Sequence, residues 1–137
     1  MVYVAQLPSV SRRIYQPLAN YLAHVGKIAY IYIMIKELIL EKIKKSVLST
    51  ESDAQVILFG SKARNADTSE SDWDILVLLN RPHVTFKDEQ RVRNGLFEVE
   101  LEVEEPISTF VYSLADWNTK MSVTPPYNNV KLEGIAL

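Results

Sequence analysis

The chain has 137 residues, 47% hydrophobic and 23% charged, the size and balance of one globular domain. It contains no cysteine, which excludes disulfide frameworks, zinc–thiolate sites and thiol catalysis together. Fifteen basic residues stand against 17 acidic ones, a formal charge of -2, so the broad positive field of a general nucleic-acid or membrane binder is missing and any anion must be held locally.

Residues 1–33 carry Tyr3, Tyr15, Tyr21, Tyr30 and Tyr32 and few charges. They read as an N-terminal extension without an assigned role, in which 21–32 suits a packing helix, an oligomer surface or, equally, a stretch upstream of a true start at Met34, where the domain pattern of 34–137 begins. The longest apolar run, 28–35, is ended by Lys36 and Glu37, well short of the ~20 residues that span a bilayer. Arg12 and Arg13 come too late for a secretory signal, and bulky residues follow them, so the cytoplasm is the expected location. From there Ile35, Leu38, Ile39, Ile43 and Val47 recur at helical spacing, with Lys36, Glu41, Lys42, Lys44 and Lys45 on the other side; this predicts an amphipathic helix.

After a polar break at 49–53, Val56, Ile57, Leu58 and Phe59 form a run of strand length that ends at Gly60. A small-residue loop over 61–71 leads to a second strand, 73–79, stopped by Asn80, Arg81 and Pro82. The stretch 85–105 fits two periods: Val92, Leu96, Val99 and Val103 suit a helix, and Val99, Leu101 and Val103 alternating with glutamates suit a strand. Its length and a stripe reaching back to Phe86 favour the helix. Residues 107–112 follow Pro106, are β-branched and aromatic, and predict a third strand. Ser113 with Asp116 resembles a capping box for a short helix through Trp117 and Met121. Pro125 and Pro126 predict an extended turn, and 128–137 a tail with a weak helical tendency. The expected class is α/β (α+β), a small mixed sheet with helices packed on one side.

The chemistry concentrates in Gly60-Ser61-Lys62-Ala63-Arg64 and in Ser71-Asp72-Trp73-Asp74. On a strand, alternation puts the Asp72 and Asp74 carboxylates on one face, about 7 Å apart along the chain, and sends Trp73 to the other. Two hard oxygen ligands of this kind suit Mg²⁺, which takes its remaining ligands from water and substrate phosphates. Gly60 lets backbone approach a phosphate closely, Ser61 and nearby N–H groups can donate to it, and Lys62 and Arg64 bring charge. An anion cradle followed by a carboxylate pair is what phosphoryl or nucleotidyl transfer requires.

Gly60-Ser61, ten intervening residues, then Asp72-Trp73-Asp74 resembles the signature of the DNA polymerase β-like nucleotidyltransferase superfamily, and within it the minimal nucleotidyltransferases. The resemblance implies that Asp72 and Asp74 are catalytic and hold the metal, and that Gly60, Ser61, Arg64 and, more weakly, Lys62 hold a nucleoside triphosphate. It implies Mg²⁺ as cofactor, AMP from ATP as the transferred group, and a hydroxyl acceptor on another chain, such as a small helical HEPN-type protein in a toxin–antitoxin pair. Two departures stand out. Asn65 replaces a usual glycine, and asparagine is the residue that best tolerates left-handed backbone in its place. The family's third carboxylate has no counterpart on the third strand, where Ser108 stands about where an acid is expected; Glu100, Glu102, Glu104 and Glu105 lie before it. A catalytically degenerate binding subunit is therefore the alternative.

The remaining polar signals carry less. His24 and His83 lack spaced companions for metal binding, the glutamates of 98–105 suit a solvated face, and Trp73 and Trp117 suit the core. Nothing in the chain predicts base reading, and a homo-oligomer is compatible with its size.

Overall fold

In the computed structural model, residues 26–68 and 70–137 are described. The expectations for Tyr3, Tyr15, Tyr21, His24, Arg12 and Arg13 fall outside that range. The chain divides into two compact units, 1–42 and 43–137. Of the first unit, the described part is the opening of helix α1 (Lys27–Thr50), which passes through Met34 without a break. There the Lys36 ammonium stands 4.7 Å from the centre of the Tyr32 ring.

The expected helix is present but begins at Lys27, and Ile39, Ile43 and Val47 are buried as expected while the first part of the expected face is not. Ile35 and Leu38 are exposed, and Lys36, Glu37 and Leu40 are buried. Residues 33–40 offer apolar side chains on several faces, so the periodicity there is ambiguous. The face that runs continuously through Ile33, Lys36, Leu40, Ile43 and Val47 keeps an unbroken three/four spacing, and that face is the buried one.

In the second unit, β1 (Gln55–Phe59), β2 (Trp73–Leu79), β3 (Ile107–Ser113) and β4 (Ile135–Ala136) form one mixed sheet among the described residues, in the order β3-β2-β1-β4. β2 runs antiparallel to β1 and parallel to β3, and β4 runs antiparallel to β1. The parallel pair needs a crossover, which α2 (Phe86–Val103) supplies. Its N-terminus is closed by a full capping box between Thr85 and Asp88, so the helical reading of 85–105 was the right one.

Alternation along β2 builds two faces. Trp73, Ile75, Val77 and Leu79 lie on one, together with Val56 and Leu58 of β1, all buried. Helix α2 turns Val92, Leu96 and Val99 inward, and Gly95 lets it approach the end of α1, since a Cβ there would lie 2.8 Å from the Ser46 hydroxyl. On the opposite face Leu76 and Leu78 pack with Trp117 and Val130, from the short helices α3 (Leu114–Asn118) and α4 (Pro125–Glu133). The sheet is thus mixed as expected, with the two short helices covering part of its second face. Pro125 and Pro126 begin α4 instead of making an extended turn; at the first helical positions proline loses no hydrogen bond.

Candidate active site

The site lies where β1 ends and β2 and β3 begin. Asp74 pairs with Phe59 on one side and Ser108 on the other, so the last residues of β1 and the first of β3 flank it. Gly60 follows β1 with φ +77, a left-handed backbone that side chains rarely adopt. It also leaves no room for one: a Cβ would lie 2.1 Å from Asp74 Oδ2. Glycine is therefore required here twice over.

The loop then folds back on itself. The N–H groups of Ala63 and Arg64 donate to the Gly60 carbonyl, at 3.1 and 3.2 Å, and Ala66 N–H donates to the Ser61 carbonyl at 3.0 Å. Those amides of the cradle are thus committed to the turn. Asn65 takes φ 54, the left-handed conformation its replacement of glycine suggested.

The two aspartates are placed on one side and Trp73 on the other, as alternation demands. Asp72 Oδ2 accepts a hydrogen bond from the Ser108 hydroxyl at 3.0 Å. Burial pushes the Asp74 carboxyl above its ordinary range; the Asp72 charge and Glu133 push the same way, and Arg64 opposes them. Ser108 thus occupies the neighbouring register position on β3, and no acid lies on that strand. The glutamates before it serve the fold: Glu100 accepts from Ile107 N–H at 2.7 Å, and Glu105 accepts from the Trp73 indole at 2.5 Å.

Of the expected triphosphate ligands, Gly60 and Arg64 lie beside Asp74 and Ser61 follows Gly60 in the turn, while Lys62 turns to the Trp73 side. Its side chain is buried, its ammonium lies 4.5 Å from the Trp73 ring, and it pairs with Asp67 at 3.7 Å and Glu105 at 3.5 Å. A lysine so engaged fastens the loop to the start of β3. Missing from the sequence reading was Glu133, at the end of α4. It accepts from Gly60 N–H at 3.3 Å, and both of its oxygens lie 2.8 Å from Arg64 Nη1. Continuing the β1–β4 register places it there, but a two-residue strand carries no recognisable pattern.

Two carboxylates, a glycine packed against one of them, and an adjacent guanidinium offer oxygen ligands to a cation and a positive charge to an anion. The family model described as a nucleotidyltransferase domain matches residues 40–125, more than half of the chain and every residue of the acid pair and loop. The protein belongs to the nucleotidyltransferase domain family, and nucleotidyl transfer is the general chemistry that membership supports. No curated protein matches the chain. Among the described residues, no helix is long and apolar enough to cross a membrane.

Proposed function

We propose that the protein is a Mg²⁺-dependent nucleotidyltransferase that uses ATP and passes AMP to a hydroxyl presented by another chain. The observation that carries the reading is the packing of Asp74 against Gly60, with Asp72 and Arg64 beside it. In this reading Asp72 and Asp74 hold the metal, and Gly60, Ser61 and Arg64 hold the triphosphate.

The donor set fits magnesium. Among the described residues no group of three or more His, Cys, Asp or Glu is gathered for a metal, which speaks against a cage made wholly of protein. A pair of carboxylates that leaves most positions to water and phosphate is how Mg²⁺ is usually held. Burial first, and after it the charge of Asp72, lifts the Asp74 carboxyl, and a divalent cation would relieve the repulsion between the two acids. A divalent metal held by Asp72 and Asp74 would supply positive charge against the negative charge that develops on the phosphates. The chain's own groups orient the substrate: Arg64 offers a guanidinium to the phosphates, and the Ser108 hydroxyl fixes the Asp72 carboxylate.

The resemblance of Gly60-Ser61 and Asp72-Trp73-Asp74 to the minimal nucleotidyltransferases favours an acceptor on a partner such as a small helical HEPN-type protein, with this chain as the antitoxin. One observation favours a second reading. Ser108 stands beside Asp74 where a third carboxylate would complete the set, as in a domain that retains nucleotide affinity but acts by contact.

Calorimetric titration of ATP with Mg²⁺, and again with EDTA, tests the first point. Binding that EDTA abolishes, and that Asp72→Asn abolishes without loss of fold, is expected; equal Mg-ATP affinity in that variant overturns the metal assignment. Transfer of label from ATP to a co-purified partner then separates the enzyme from the binding subunit.

A further inference from the structure

Glu133 lies beyond the stretch matched by the family, on an element that the sheet holds in place. Gly134 ends α4, donating its N–H to the Val130 carbonyl at 2.7 Å, and a Cβ at Gly134 would lie 2.4 Å from that oxygen and 3.0 Å from Ile57. Ile135 and Ala136 then pair with Leu58 and Ile57, and Leu137 N–H donates to Val56 O at 2.9 Å. This clamp delivers Glu133 to Gly60. Its side chain is 20% exposed, against 51% for the Arg64 side chain it meets.

The donors it takes are those a phosphate oxygen would take: a backbone N–H at the turn after β1 and the guanidinium beside the acid pair. A residue that served only to aim Arg64 at a ligand would leave the Gly60 N–H free, and Glu133 engages both. It also adds a third negative charge to the neighbourhood of Asp72 and Asp74.

We propose that Glu133 is a built-in competitor for the polyphosphate, an internal anion seated on the Gly60 and Arg64 donors that the incoming phosphates must displace. The inference rests on the nucleotide reading above. Entry of the nucleotide is then an exchange of one anion for another, and it requires only side-chain rotation of Glu133, with α4 and β4 staying in place. The affinity of the site is set below what its donors would give an unoccupied cradle.

The test is Glu133→Gln in the full chain, titrated with Mg-ATP and, to separate phosphates from base and sugar, with tripolyphosphate in Mg²⁺. Removing one charge-assisted pair from the competing state is expected to tighten both ligands by about tenfold or more. Glu133→Asp, which keeps the charge but shortens the reach, is expected to fall between and serves if the glutamine variant does not fold. In the unaltered chain, the carboxyl carbon resonance of Glu133 is expected to shift when tripolyphosphate saturates the site. Unchanged or weaker binding in the variants, or no shift at saturation, overturns the competitor while leaving the nucleotide reading intact. If folded wild-type and variant chains bind neither probe, both fall together.

Discussion

The two ends of the sheet handle negative charge in opposite ways. Where β1 begins and β2 ends, the buried Glu51 carboxylate is ion-paired to Arg81 and, at 3.0 Å, to Arg91, and Arg81 also meets Asp88 at 2.7 Å. Asp88 closes the capping box of α2, and the Thr85 backbone N–H, first among its partners, holds its carboxyl below the usual range. At the other end, Asp72, Glu133 and Arg64 lie close enough to act on Asp74, and burial and like charge hold Asp74 above that range. Acids that serve the fold are saturated with partners, and the acid at the centre of the site is held under repulsion. Perturbed carboxyls of this kind concentrate at functional sites, which accords with the function proposed above.

The contrast can be broken at several points. Glu51→Ala leaves two arginines without their shared partner; because both are a third or more exposed, water recovers part of the loss, and unfolding in urea is expected to show roughly 2 to 4 kcal/mol of destabilisation. A cost near zero would mean the network is decoration. Gly60→Ala forces a side chain into a left-handed position and onto Asp74, for about 1 to 3 kcal/mol of stability, together with loss of Mg-ATP binding by calorimetry. Retained binding would show that Asp74 can move aside without consequence. Thr85→Ala removes the cap of α2 and is expected to cost about 1 kcal/mol with nucleotide affinity unchanged, since the cap belongs to the other end.

The smallest effects are those of pH, and they run in opposite directions. A carboxyl raised in the folded protein contributes stability at low pH that is lost as pH rises through its folded value. Asp74→Asn is therefore expected to raise Tm slightly at neutral pH, with the gain vanishing in acid. A carboxyl lowered in the folded protein contributes stability above the ordinary range that is lost as pH falls through its folded value. Asp88→Asn should lower Tm at neutral pH, with the loss vanishing in acid. Thermal melts of both variants between pH 3 and 7 check the pair, and parallel curves would erase the distinction between the two ends.

Local rules made most of the framework legible. β2 and the helical reading of 85–103 follow from length, period and flanking breakers, and Asp72 and Asp74 fall on one face because strand alternation leaves no other choice. Asn65 adopts the left-handed backbone for a reason internal to its own side chain. The misreadings share a different origin. Ile35 and Leu38 lost the buried face of α1 to a stripe that includes a lysine, because residues 33–40 present too many apolar side chains for period alone to choose. Lys62 reads as a phosphate ligand until Trp73, Asp67 and Glu105 draw it to the other side.

By itself, then, the sequence determined the three longer strands, the crossover helix, the family signature and the acid pair, since each depends on residues near one another along the chain. Only the tertiary structure decided what surrounds that pair. Ser108 beside Asp74 depends on the register of a parallel pairing, and Glu133 on Gly60 depends on a two-residue strand joining residues more than seventy positions apart. Contacts across such separations are set by which faces the sheet and helices bury together, and no local period records them.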